Sequence, residues 1–136
     1  MSLPTAPLTQ PTRTTGGLAL TLTLPGVPAS AAIARTAFTA SLHRYGHDRF
    51  AGITALTVTE LSAAAARVAP GAPFRLSLAT TAHPTTLHIA SIDSSPRRTH
   101  RDLWLLAAAV DDWDGTWTTT PTPPPHPSGT WVRLPR

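Results

Sequence analysis

The chain of 136 residues contains no cysteine, no lysine and no asparagine, and its one glutamate is Glu60. Each absence removes a chemistry. Without cysteine there are no disulfides, no thiolate zinc sites and no thiol nucleophiles, so histidine and carboxylates are the only side chains left for a metal. Without lysine, the eleven basic residues are all arginine, and against seven acids they give a net charge of +4. The isoelectric point of about 11.4 overstates the basicity of the surface at neutral pH, because a guanidinium does not titrate below about pH 12. Glycine is missing between Gly71 and Gly115, so that stretch holds no position where a backbone can approach a phosphate without an intervening Cβ. No window reaches the roughly 18 consecutive apolar residues of a membrane span, and the N-terminus shows neither the basic segment nor the apolar run of a secretion signal. A cytoplasmic protein is therefore expected.

What is present suits one domain. The length allows a single core, and 41% hydrophobic residues is ordinary for a globular chain. The 15 prolines and the abundance of alanine and threonine fit a gene of high GC content. Residues 1–17, with Pro4, Pro7, Pro11 and repeated threonine, offer little to bury and read as a flexible arm before a domain over 18–136. Leu18 to Leu24 alternates leucine with small residues, the period of a half-buried strand. Ile33, Ala37, Phe38, Leu42 and Tyr45 recur at helical spacing before Gly46, predicting a helix over 30–45. Asp48 is placed to cap a second helix, whose stripe runs Ile53, Leu56, Thr57, Glu60, Leu61, Ala64 and Val68 up to Pro70-Gly71.

The alternating runs 74–79 and 86–92, separated by His83-Pro84, predict a hairpin. Thr99 and Asp102 resemble a capping box for a third helix bearing Leu103, Leu106 and Val110. Two short strands, 117–120 and 130–134, close the chain, joined by a proline-rich connector over 121–129 that should be extended. This order predicts an α+β two-layer sandwich: one mostly antiparallel sheet of four or five strands, covered on one face by three helices. The expected core is Ile33, Phe38, Leu42, Ile53, Leu56, Leu61, Leu76, Leu78, Ile89, Leu103, Leu106 and Val132.

The run Ala55 to Ala65, the strand ending Ile92-Asp93-Ser94-Ser95-Pro96 and the closing Gly129 to Pro135 together resemble the histidine-kinase-like (GHKL) ATPase fold, most closely its small bacterial branch of anti-sigma factors and serine protein kinases. The resemblance covers about residues 18–134 and rests more on the order and spacing of elements than on any one motif. It implies that Glu60 stands where the family has its catalytic base, and Asp93 where the family's aspartate accepts a hydrogen bond from the adenine amino group. The family's magnesium-binding asparagine falls at Ala64, whose methyl cannot coordinate a metal. Its glycine-rich lid turn falls on Arg97-Arg98-Thr99-His100-Arg101-Asp102, without glycine. Arg97, Arg98 and Arg101 could grip phosphate there, although a solvated basic loop is the commoner role for such a run.

Other readings of single residues are structural. Asp93 before Ser-Ser-Pro also suits a turn. His43 and His47 have the spacing of a helical metal pair, but Gly46 ends the helix between them, and no metal site is expected. The four tryptophans, Trp104, Trp113, Trp117 and Trp131, are most simply core.

Three function classes follow. The leading one is a degenerate anti-sigma-like regulator that binds a sigma factor, an antagonist domain or another transcription regulator by contact alone, with ATP binding weak or lost and magnesium unsupported. The alternative is an active ATP-dependent serine protein kinase or ATP-binding anti-sigma factor, with Glu60 as base and Asp93 holding adenine. Nucleic-acid binding ranks last, because the arginines are dispersed and no recognition helix is evident. The homodimer common in the family is left open by the sequence.

Overall fold

A computed structural model describes residues 12–14, 17–81, 85–93, 103–120 and 128–135. The described residues form β1 (Thr12–Thr14), β2 (Gly17–Pro25), α1 (Ala29–Arg44), α2 (Ala51–Val68), β3 (Pro73–Thr81), β4 (Thr86–Asp93), α3 (Trp104–Asp112), β5 (Thr116–Thr120) and β6 (Ser128–Pro135). The strands make one sheet in the order β1-β2-β3-β4-β6-β5, with every neighbouring pair antiparallel. The α+β sandwich expected from the sequence is the fold observed. Its sheet has six strands, because Thr12–Thr14 lie within the segment read as a flexible arm and pair with Gly17 to Ala19.

Register fixes which side chains meet. Leu20 faces Leu78, Leu22 faces Leu76 and Leu24 faces Phe74; Leu78 then faces Ile89, and Ile89 faces Val132. Directly opposed residues share a face, and residues two apart share it along each strand. One face is thus a continuous apolar row. Those side chains are buried together with Phe38, Leu42, Ile53, Val58, Leu61, Leu103, Leu106 and Val110 from the helical layer.

The helices bury small and hydroxyl-bearing side chains as well as large apolar ones. On α1 the buried positions are Ser30, Ala34, Phe38, Ser41 and Leu42, and Ile33, expected in the core, is 51% exposed. Ile33 lies one residue from Ala34, and at about 100° per residue a helix that buries the small side chain turns its neighbour outward. Leu56 also falls short of full burial and packs at the margin of the core. Phe50, absent from the expected core, is fully buried and meets Trp113 with ring centroids 5.8 Å apart.

The helix ends are set mainly by backbone. The Gly46 N–H donates to the His43 carbonyl at 3.3 Å and the His47 N–H to the Leu42 carbonyl at 2.7 Å, the paired closure for which a left-handed glycine is suited; φ at Gly46 is +80°. The same closure ends α3, through Asp114 to Asp111 at 3.0 Å and Gly115 to Val110 at 2.8 Å, with Asp114 at φ +54° in the glycine role. Asp48 does not cap α2. A 3-10 turn over Asp48–Phe50 leads into that helix without a side-chain cap, and the Asp48 carboxylate pairs with His43 instead. The expected capping box at Thr99 and Asp102, the His83-Pro84 turn and residues 121–127 of the expected 121–129 connector lie outside the described residues, while Ser128 and Gly129 belong to β6 and pair with β4.

Candidate functional site

Glu60 is half-buried on α2, one turn before Ala64, which is 0% exposed and packed into the core beside Leu61 and Ala65. The position that the family resemblance assigns to a metal ligand therefore faces protein interior. Asp93 ends β4, with its backbone in register between Phe74 and Ser128. That end of the sheet is also where Pro25 of β2 meets Pro73 of β3, so α1 departs from it and α2 returns to it. The C-terminal half of α2 and the backbone of Asp93 thus occupy one end of the domain. Arg97, Arg98 and Arg101 lie outside the described residues.

The histidine pair does not form a helical site. α1 stops at Arg44, so His47 is beyond it, and His43 Nδ1 pairs with Asp48 Oδ1 at an exposed position. Among the described residues no three histidine, aspartate or glutamate side chains gather around a common point.

Two concavities were not visible in the sequence. The first is a notch of about 510 Å³ between the first turn of α1 and the end of α2, lined by Val27, Pro28, Ala31, Ser62, Ala66 and Arg67 among others. Its floor is stitched by backbone: the Gly26 N–H donates to the Ala72 carbonyl at 2.8 Å, and the Gly71 N–H to the Gly26 carbonyl at 2.9 Å. A Cβ on Gly26 would stand 2.8 Å from the Ala69 carbonyl oxygen, so only glycine permits the approach.

The second is a hollow of about 350 Å³ on the sheet face away from the helices. Two adjacent cross-strand rows make it. One runs Thr116, Arg133, His88, Ala79; in the next, Thr118 lies on β5, with Ala90 facing Ser77 across β4 and β3. Short side chains at Ala79, Ala90 and Ser77 leave the space, and His88 and Arg133 stand beside it. Burial lowers the pKa of the His88 imidazole below its ordinary value, and the neighbouring Arg133 guanidinium lowers it further. Alternation with the expected core residues Leu76, Leu78, Ile89 and Val132 turns Ser77, Ala79, His88, Ala90 and Arg133 outward, whereas Thr116 precedes the expected strand 117–120; which outward residues become neighbours depends on register, and the sequence contains no register for strands separated by helices.

Compared with known proteins, the chain matches no family model and no curated protein sequence. Among the described residues, no helix is long and apolar enough to cross a membrane.

Proposed function

We propose that the chain is a degenerate relative of the anti-sigma-like GHKL proteins, acting in bacterial transcription control through contact with a protein partner rather than through phosphoryl transfer. The observation that supports this reading is Ala64. On α2, one turn after the half-buried Glu60, the position that would have to supply a magnesium ligand is a methyl group with no exposed surface. Magnesium is held by few protein groups and demands oxygen ligands, so the loss of one is severe. The order of strands and helices, and the shared location of α2 and Asp93 at one end of the sheet, fit the same reading.

Under this proposal the partner is a sigma factor, an antagonist domain or another transcription regulator, and the setting is cytoplasmic. ATP binds weakly or not at all, and a rigid sheet-and-helix platform remains for association, with little ordering entropy to lose. Titration of the purified protein with ATP, with and without magnesium, separates this reading from the active kinase. Weak binding indifferent to magnesium is expected; micromolar binding strengthened by magnesium would reverse the assignment. Capture of a purified candidate sigma factor should survive Glu60→Ala and Asp93→Ala in folded protein, and its loss in both variants would contradict a nucleotide-independent mechanism.

A further inference from the structure

The open face of the sheet carries charge of one sign. Its outward positions with described side chains include Arg75, His88 and Arg133, with threonine, serine and alanine making up most of the remainder and no carboxylate among them. His88 and Arg133 are direct cross-strand partners, and the hollow of about 350 Å³ opens beside them. A guanidinium directly opposite an imidazole, together with burial, holds the imidazole towards its neutral form. That pair, next to a chiefly apolar hollow that also presents the hydroxyls of Ser77, Thr116 and Thr118, has the chemistry of a receptor for an anion with an apolar body.

We propose that this hollow binds a small phosphate monoester with an apolar body, the phosphate lying against Arg133, His88, Thr116 and Thr118 and the body over Ala79 and Ala90. A guanidinium offers a planar fork of donors matched to phosphate oxygens, and an imidazolium adds a second charged donor. The threonine hydroxyls donate to the remaining oxygens. The floor of alanines explains the need for an apolar body: a bare phosphate would leave most of the hollow to water. Burial and Arg133 both disfavour the charged imidazole in the free protein, and a bound dianion reverses that balance, so binding should draw a proton onto His88. No other titratable side chain faces it from the neighbouring outward positions of β3, β5 or β6 with described side chains. The hollow lies on the open face of the sheet, whereas Glu60 stands on α2 in the layer that covers the other face.

Phenyl phosphate, inorganic phosphate and benzoate serve as probes, read by the proton resonances of the His88 ring across a pH series. Phenyl phosphate is expected to bind most tightly and to raise the His88 pKa. Arg133→Gln should weaken it about tenfold or more, the loss of a charge-assisted hydrogen bond, whereas Arg35→Gln on α1 should leave it unchanged. Ala90→Leu, which fills the hollow and keeps Arg133 and His88, should abolish the preference for phenyl phosphate over inorganic phosphate. The proposal is overturned if phenyl phosphate leaves the His88 resonances unmoved, if Arg133→Gln binds it as tightly as the unaltered protein, or if benzoate binds equally well.

Discussion

The two faces of the sheet are built from alternate residues of the same strands and have almost nothing else in common. On β2 the covered face is Leu18, Leu20, Leu22 and Leu24, each no more than 3% exposed, while the open face is Ala19, Thr21 and Thr23, all half-buried. The covered face holds the domain together by removing apolar surface from water. Its neighbour carries β-branched, small and cationic residues that keep strand geometry without needing a second layer. A sheet divided in this way leaves one side available for recognition, since changes there need not disturb the core.

The sharpest way to break that division is to substitute neighbours on one strand. Leu22→Ala should cost about 2–5 kcal/mol through lost burial and the cavity left behind, whereas Thr23→Ala should cost less than about 1 kcal/mol. Urea denaturation midpoints would show it, and comparable losses would mean that the open face also bears on stability. Next in size is Ala64→Asn. An amide placed where no surface is exposed should cost about 1–3 kcal/mol and should not create magnesium-dependent ATP binding; a stable variant that gains such binding would show that the position reaches a nucleotide site.

Smaller and opposite in sign is Thr57→Val. The hydroxyls of Thr54, Thr57 and Ser62 are buried in the helical layer without a hydrogen-bond partner among the described residues. Removing one should raise stability by up to about 1 kcal/mol, measurable as a higher melting temperature; a loss would mean that the hydroxyl is satisfied by water. The smallest effect belongs to the open face. The His88 pKa is lower in the folded protein than in the unfolded chain, so between the two values the unfolded chain binds more protons, and stability rises with pH there. Stability should therefore decline slightly as pH falls through the ordinary histidine value near 6.5 and level off below the lowered one, and His88→Gln should flatten that segment of the profile.

Strand content was legible because β2 alternates without a break, and the end of α1 because Gly46 has one evident role. The edge of the buried face of α1 was not. Phe38 and Leu42 are buried as expected, but Ser30, Ala34 and Ser41 are buried too while Ile33 is exposed: this helix seats small residues where close approach is needed, and a large apolar side chain beside them can fall outside the contact. Asp48 shows a similar limit: a capping residue type immediately before a helix is ambiguous when a histidine five positions earlier competes for its carboxylate. Phe50 was missed because it precedes the helical stripe and is buried through Trp113, a contact between distant parts of the chain. Of the residues assigned by resemblance, Glu60 and Ala64 lie on the expected helix, and the hollow around His88 depends on strand register alone.

The backbone stitch at Gly26 also bears on how the molecule assembles. Pro25 faces Pro73, so α1 and α2 together form one long loop between two adjacent strands, and β2 cannot pair with β3 until that loop closes. Closure entropy grows with the length of an unstructured loop, but a helical hairpin that forms first shortens the effective span. The hydrogen bonds from Gly26 to Ala72 and from Gly71 to Gly26 sit at the neck of that loop, where they act as a clasp: once the hairpin has docked, the strands can zip outward from it, and slow zipping is the expected kinetic signature of any side chain placed at Gly26.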